Sequence, residues 1–458
     1  MKRRDFIKLS MATGGALLLP NTIEAKKIDF NSINFNSSVY ENNNAQTIIV
    51  FLYGGASQLG GNLTNIDEIE KNSQNSYFNY FRGVTKTKNN CWQEAGGRYM
   101  EELIANGDMT LFRTCYSAHR DKNNNRSHPI CVEQNQKGSF NTDGGGIVAN
   151  IAAVLNNYKK VNSKTLMPFV TMEGDSYFYA EGDNYIPPYL KPAAFTEDLA
   201  NPYERPIWTI RRWFYYNEEE RKKAHYSDSD DKGGFDPKLT KDMDALAQEN
   251  NKNQVIKEDF TKRATLDKFI KEIEKAEVPN LGADNYADDD FAKKLKVAIN
   301  LLDKNPDTKI LTLNTGGLGG WDDHNDAREY VTRMDHLFKA LKSASAHLRA
   351  INKIGTINIM VFGDFGRNVN LNSAFGWDHG NLQNLYVIGG KNYFNHKGVV
   401  GETTLDVTGK LNRLWLKPKN GTYSFEPMSI AATLYKLYGI ENPNALTAGD
   451  FKPLNILS

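Results

Sequence analysis

The feature that most constrains this chain is a β-branched and aliphatic run, Thr356–Phe362, that stops abruptly in Gly363-Asp364-Phe365-Gly366-Arg367. An apolar run of that length bounded by turn residues reads as a buried strand, and the glycines permit a sharp turn at its end. Charged side chains therefore stand at a carboxyl edge of strands, where open α/β sheets bind ligands. Asp378-His379-Gly380 follows, directly before a second apolar run, Leu382–Ile388. Upstream, a third run, Lys309–Leu313, leads through glycines into Trp321-Asp322-Asp323-His324. Carboxylates and imidazoles beside three predicted strands are the donors that a hard or borderline divalent metal requires. Each of these residues alone has an ordinary turn-forming or hydrogen-bonding role, so the concentration at strand ends carries the reading.

The rest of the chain alternates strands and helices. Thr47–Tyr53 is predicted as the first strand, with Ser57 in the turn after it. Tyr99–Asn106 reads as a helix and Met109–Cys115 as the second strand. The polar loop after it contains His119, Arg126, Ser127 and His128. A serine at a helix start beside arginine is either a capping residue or an anion-facing nucleophile, because first-turn amides and a guanidinium both favour negative charge. A helix at Gly144–Leu155, a strand at Met167–Met172, a helix at Phe291–Leu302 and a last helix at Met428–Tyr438 complete the pattern. The long helix Asn325–Ala350 carries an apolar stripe that leaves His336 and His347 off its centre, hence on the surface. This alternation predicts an α/β fold, a doubly wound, mostly parallel sheet with helices on both faces.

Residues 45–173 and 291–458 read as two parts of one core, and 174–290 as an insertion or cap with two polar helices between Asp236 and Ala276. With 56 basic against 55 acidic residues and no polybasic stripe, nucleic acid is a poor partner. The start, Lys2-Arg3-Arg4-Asp5-Phe6-Ile7-Lys8 before a short Gly- and Ala-containing apolar stretch, resembles a twin-arginine export signal over 1–25, with cleavage near Ala25. A retained anchor is the alternative, although a comfortable span needs roughly 20 apolar residues, so no stable membrane span is expected after cleavage. Residues 26–44, rich in Asn and Ser, read as a linker. Cys91, Cys115 and Cys131 allow one disulfide plus a thiol, or three buried thiols.

Four segments together resemble the family catalogued as Domain of Unknown Function 1501, exported sulfatase-like proteins of the alkaline phosphatase-like superfamily. They are FLYGGASQ at 51–58, NRSHPICVEQNQKG at 125–138, GGWDDH at 319–324, and GDFGR at 363–367 with DHG at 378–380. The resemblance implies an alkaline phosphatase-like α/β/α core. It makes Ser127 the nucleophile, with Arg126, His128 and Arg367 as catalytic neighbours. Asp322, His324, Asp364, Asp378 and His379 become metal ligands, for zinc, calcium or magnesium, as one ion, two or none. The chain departs from the superfamily pattern in having Gly54 where an Asp usually begins the metal site and Phe365 where a histidine follows Asp364. Asn381 and Asp364 also replace the commoner His and Glu of the family.

Two functional classes follow. The first is an exported hydrolase, periplasmic or at the cell surface, acting on a small anionic phosphate or sulfate ester or on an envelope polymer. The second is a catalytically degenerate relative that binds or assembles with an envelope protein partner, which Gly54 and Phe365 favour.

Overall fold

The computed structural model describes residues 28–172 except 125 and 163, residues 177–181, 190, 193–194, 269 and 272–273, and residues 276–458 except 410 and 411. Both the expected export signal and the predicted helices between 236 and 276 lie outside the described residues, apart from isolated positions.

Eight strands form one sheet: β1 (Gln46–Leu52), β2 (Met109–Tyr116), β3 (Phe169–Thr171), β4 (Ala193–Ala194), β5 (Ile310–Asn314), β6 (Ile357–Gly363), β7 (Leu382–Gly389) and β8 (Gly398–Val400). Their order across the sheet is β4-β3-β5-β1-β6-β7-β2-β8. Every neighbouring pair is parallel except the two that β7 makes, with β6 and β2. The predicted α/β class with a mostly parallel central sheet is therefore the fold observed. A separate two-stranded ribbon pairs β9 (Thr403–Asp406) with β10 (Trp415–Pro418).

Strands β1, β6 and β7 are buried along their whole length, as expected when helices cover both faces of a sheet. Alternate side chains go to opposite layers. Ile48, Val50, Ile359 and Val361 join a core with helices α1 (Arg98–Ala105), α4 (Asp290–Lys304) and α5 (Arg328–Ala350). Ile49, Phe51, Met360 and Phe362 join the other, with α3 (Ile147–Asn157) and α6 (Met428–Leu437). Phe51 and Phe362 are register partners with rings edge to face, 5.3 Å between centroids, a contact worth about 1 kcal/mol beyond burial. Cys91, Cys115 and Cys131 are buried, and no disulfide joins them.

Two expectations are corrected. Residues 28–44 are packed rather than a linker: the Asn36 amide donates to the Gly439 carbonyl at 2.7 Å, Phe35 bridges Ile440, and Ile33 is buried. His347 is buried, not superficial, because α5 is covered by α1 on one side and α4 on another, and its Nδ1 lies 3.2 Å from the Tyr286 hydroxyl. His336 is exposed, as expected.

The registers place the site. Phe51 is level with both Asn314 and Phe362, and Leu52 with Gly363, so β1, β5 and β6 end at one edge. Tyr116, the end of β2, pairs with Leu382, the start of β7. Because β7 runs backwards, the residues before it arrive where the residues after the parallel strands depart.

Candidate metal centre

That edge gathers side chains from three loops. His128 opens helix α2 (His128–Lys137), Asp322 and His324 follow β5, and His379 precedes β7. Each offers a ligand atom, and these atoms all lie within 4.8 Å of one another. The rings of His128 and His379 are 4.3 Å apart between centroids, and those of His324 and His379 4.4 Å. The loops are fastened together: the Trp377 amide donates to the Asp323 carbonyl at 2.7 Å, and a Cβ on Gly376 would come within 2.0 Å of the His324 carbonyl oxygen.

The tautomers can be read from partners. A carbonyl only accepts, so the 2.5 Å contact between His379 Nδ1 and the Arg126 carbonyl puts the proton on Nδ1 and the lone pair on Nε2. His128 Nδ1 lies 2.7 Å from Asp364 Oδ2, leaving its Nε2 toward the cluster, 3.4 Å from Asp322 Oδ2. Both Nε2 atoms are buried without a hydrogen-bond partner. Orphaned imidazole nitrogens facing a carboxylate are donors awaiting a cation, so the residues present fit a divalent metal. Burial, then the charges of Arg367, His128 and His324, lowers the His379 pKa to about 3, which keeps that ring neutral. Burial works against ionisation of Asp322, but the hydrogen bond and charge of Arg367, and then His324, hold it down at about 2.

The structure redistributes the expected roles. Asp364 is not in the four-residue cluster. Its Oδ2 accepts from the Gly54 amide at 3.2 Å and pairs with His128, so it stands behind that ring, while its buried Oδ1 has no hydrogen-bond partner. Burial pushes its carboxyl up, opposed by His128. His128, expected beside the nucleophile, stands in the cluster with Asp322, His324 and His379. Asp378 turns away to Arg413 Nε at 2.9 Å, and Asp323 is turned to Arg333. Arg367, expected to face the anion, is 1% exposed, and its Nε, Nη1 and Nη2 each donate to oxygens within the protein. His119 stacks on Phe140 instead, 4.2 Å between centroids.

Ser127 is the N-cap residue of α2, with proline in the first turn and no capping bond from its side chain. It lines a cavity of about 390 Å³ with Asn124, Arg126, His324, Asp378, His379 and Arg413. Arg126 lies over the Trp415 ring at 4.4 Å and pairs with Asp121 at 3.0 Å. Arg413 was not singled out from the sequence, where no motif surrounds it. Arg120 and Asn135 were missed as well: Arg120 Nη1 and Asn135 Nδ2 donate to the Asp364 carbonyl at 3.0 and 2.9 Å and fix the turn after β6. Phe365 packs against two rings of the cluster, 4.7 Å from His128 and 4.5 Å from His379.

No protein-family model matches the sequence, and none of the curated proteins matches it. Among solved structures the chain is similar to Ps i-CgsB, crystallised alone and with k-i-k-neocarrahexaose, at 11% identity over 88% of this chain and 74% of that one, TM-score 0.35. It is also similar to the phosphonate monoester hydrolase SpPMH from Silicibacter pomeroyi (12% identity, 90% and 76% covered, TM-score 0.35). A third is the lipoteichoic acid synthase LtaP from Listeria monocytogenes (10% identity, 92% and 79% covered, TM-score 0.30).

Proposed function

We propose that this chain is an exported, divalent-metal-dependent hydrolase of phosphate or sulfate esters, working in the periplasm or at the cell surface. The observation that carries the reading is the convergence of His128, Asp322, His324 and His379 beside a cavity that also holds Ser127 and two arginines. Three imidazoles and one carboxylate favour zinc over calcium or magnesium, which prefer oxygen donors. The motif resemblance to the Domain of Unknown Function 1501 family, and the twin-arginine sequence at the start, support the export and ester-hydrolase parts.

When bound, the cation supplies Lewis-acid polarisation of an anionic ester oxygen. The chain's own residues do the rest. Asp364 fixes the His128 ring, and the Arg126 carbonyl fixes the His379 ring, so both present Nε2. Ser127, at a helix start, places its hydroxyl on the cavity wall, where first-turn dipoles favour the charge that develops as its oxygen bonds to phosphorus or sulfur; its proton leaves with the departing alcohol, and water then releases the acid and restores the serine. Arg126 and Arg413 at the same wall balance the remaining anionic oxygens.

The test is turnover of aryl phosphate, phosphodiester and aryl sulfate by zinc-loaded protein. Loss of all turnover in Ser127→Ala with zinc retained supports the assignment. Full zinc occupancy with no turnover on any ester favours the binding-protein alternative, for which Gly54 speaks. A Cβ there would come within 2.5 Å of the Asp322 amide nitrogen, so no side-chain ligand fits at that place.

A further inference from the structure

The Arg367 guanidinium lies inside a shell of oxygens. Nε donates to the Gly55 carbonyl at 2.7 Å and Nη1 to the Trp377 carbonyl at 3.0 Å. Nη2 donates to Asp322 Oδ1 at 2.7 Å, to the Trp321 carbonyl at 3.2 Å and to the Gly54 carbonyl. Four backbone carbonyls and a carboxylate, from three separate loops, thus converge on one buried group. Carbonyl and carboxylate oxygens in that number are what a hard cation such as calcium takes as ligands. An arginine keeps its charge under all ordinary conditions, so the shell already holds a permanent cation.

We propose that the centre is built for one divalent ion, and that the Arg367 guanidinium occupies, as an internal cation, the place beside Asp322 where a second ion would bind. This deepens the metal-hydrolase reading and rests on it. Asp322 is shared: Oδ1 faces Arg367 and Oδ2 faces His128 Nε2, so one carboxylate joins the fixed charge to the exchangeable one. A second divalent ion on that carboxylate would stand within a few ångströms of the guanidinium, and like charges at that range repel. The remaining donors do not make a second site. Position 54 cannot carry a side chain, Phe365 brings only a ring, and Asp364 has one oxygen, Oδ1, without a partner.

The test has two arms. In the first, the full chain is saturated with zinc and the ions per chain are counted by native mass spectrometry. One ion, lost in His379→Ala, is expected. Two ions at this centre, both lost in His379→Ala, overturn the single-ion proposal but leave the hydrolase reading standing, whereas none overturns both. In the second, Arg367→Ala is melted with and without millimolar calcium. Emptying the shell is expected to lower the melting temperature and to make it respond to calcium by about 3 °C or more, while the parent chain does not respond. A folded Arg367→Ala indifferent to calcium overturns the cation role of this arginine. Should that variant not fold, the zinc count decides.

Discussion

His128 Nδ1 and Asp364 Oδ2 stand 2.7 Å apart, joining the first residue of α2 to the residue that follows β6. The contact fixes which nitrogen of His128 faces Asp322, His324 and His379, and so ties a buried carboxylate to the cluster. Asp364→Asn is therefore expected to lower zinc affinity by roughly 10- to 100-fold, the usual effect of losing a ligand's supporting carboxylate, while the fold survives. Competition with a calibrated chelator measures it. Unchanged affinity would show that the pairing is only structural.

Ser127→Ala separates chemistry from architecture. Because the Ser127 side chain makes no capping bond, stability is expected to change by less than about 1 kcal/mol. Ester turnover is expected to fall at least about a thousandfold, the scale seen when a nucleophile is removed. Steady-state kinetics with a zinc assay on the same sample checks both.

Gly376 is where the loop before β7 touches the loop after β5. A methyl group there would overlap the His324 carbonyl, so Gly376→Ala must separate His379 from His324 or strain the backbone. Loss of about 2 kcal/mol or more in a urea titration, with weakened zinc binding, is the expected outcome.

Stability should also depend on pH through His347, far from the centre. Burial lowers its pKa to about 4 from 6.5, with Asp303 opposing and Lys296 adding to the shift. Between those values the unfolded chain binds the extra proton, so this contribution is complete above 6.5 and is lost as pH falls through 4. The midpoint difference between pH 7 and pH 4.5 should shrink in His347→Gln, measured by urea denaturation.

Much of this was legible in the sequence. The apolar runs gave β1, β2, β5, β6 and β7 within a residue or two, because fully buried strands leave uninterrupted aliphatic stretches. The reversal of β7 was not legible, since a run buried on both faces reads alike in either direction. Strand-end position brought Asp322, His324 and His379 to one rim. It could not tell that Asp364 stands behind His128 rather than beside it, or that Asp378 turns to Arg413, because neighbouring side chains at a turn diverge by local backbone angles. The burial of Arg367 was hidden for a different reason: its acceptors come from residues 54–55, 321–324 and 377, and only the folded sheet edge assembles them.

His128, Asp322, His324 and His379 are expected to act as a single ligand set. The direct measurement is elemental analysis of the full chain purified without chelator, beside His324→Ala and His379→Ala. About one zinc-like divalent ion per chain is expected in the parent, and its loss in both variants with secondary structure intact. A folded parent that retains no divalent metal, or variants that retain it fully, would contradict that expectation.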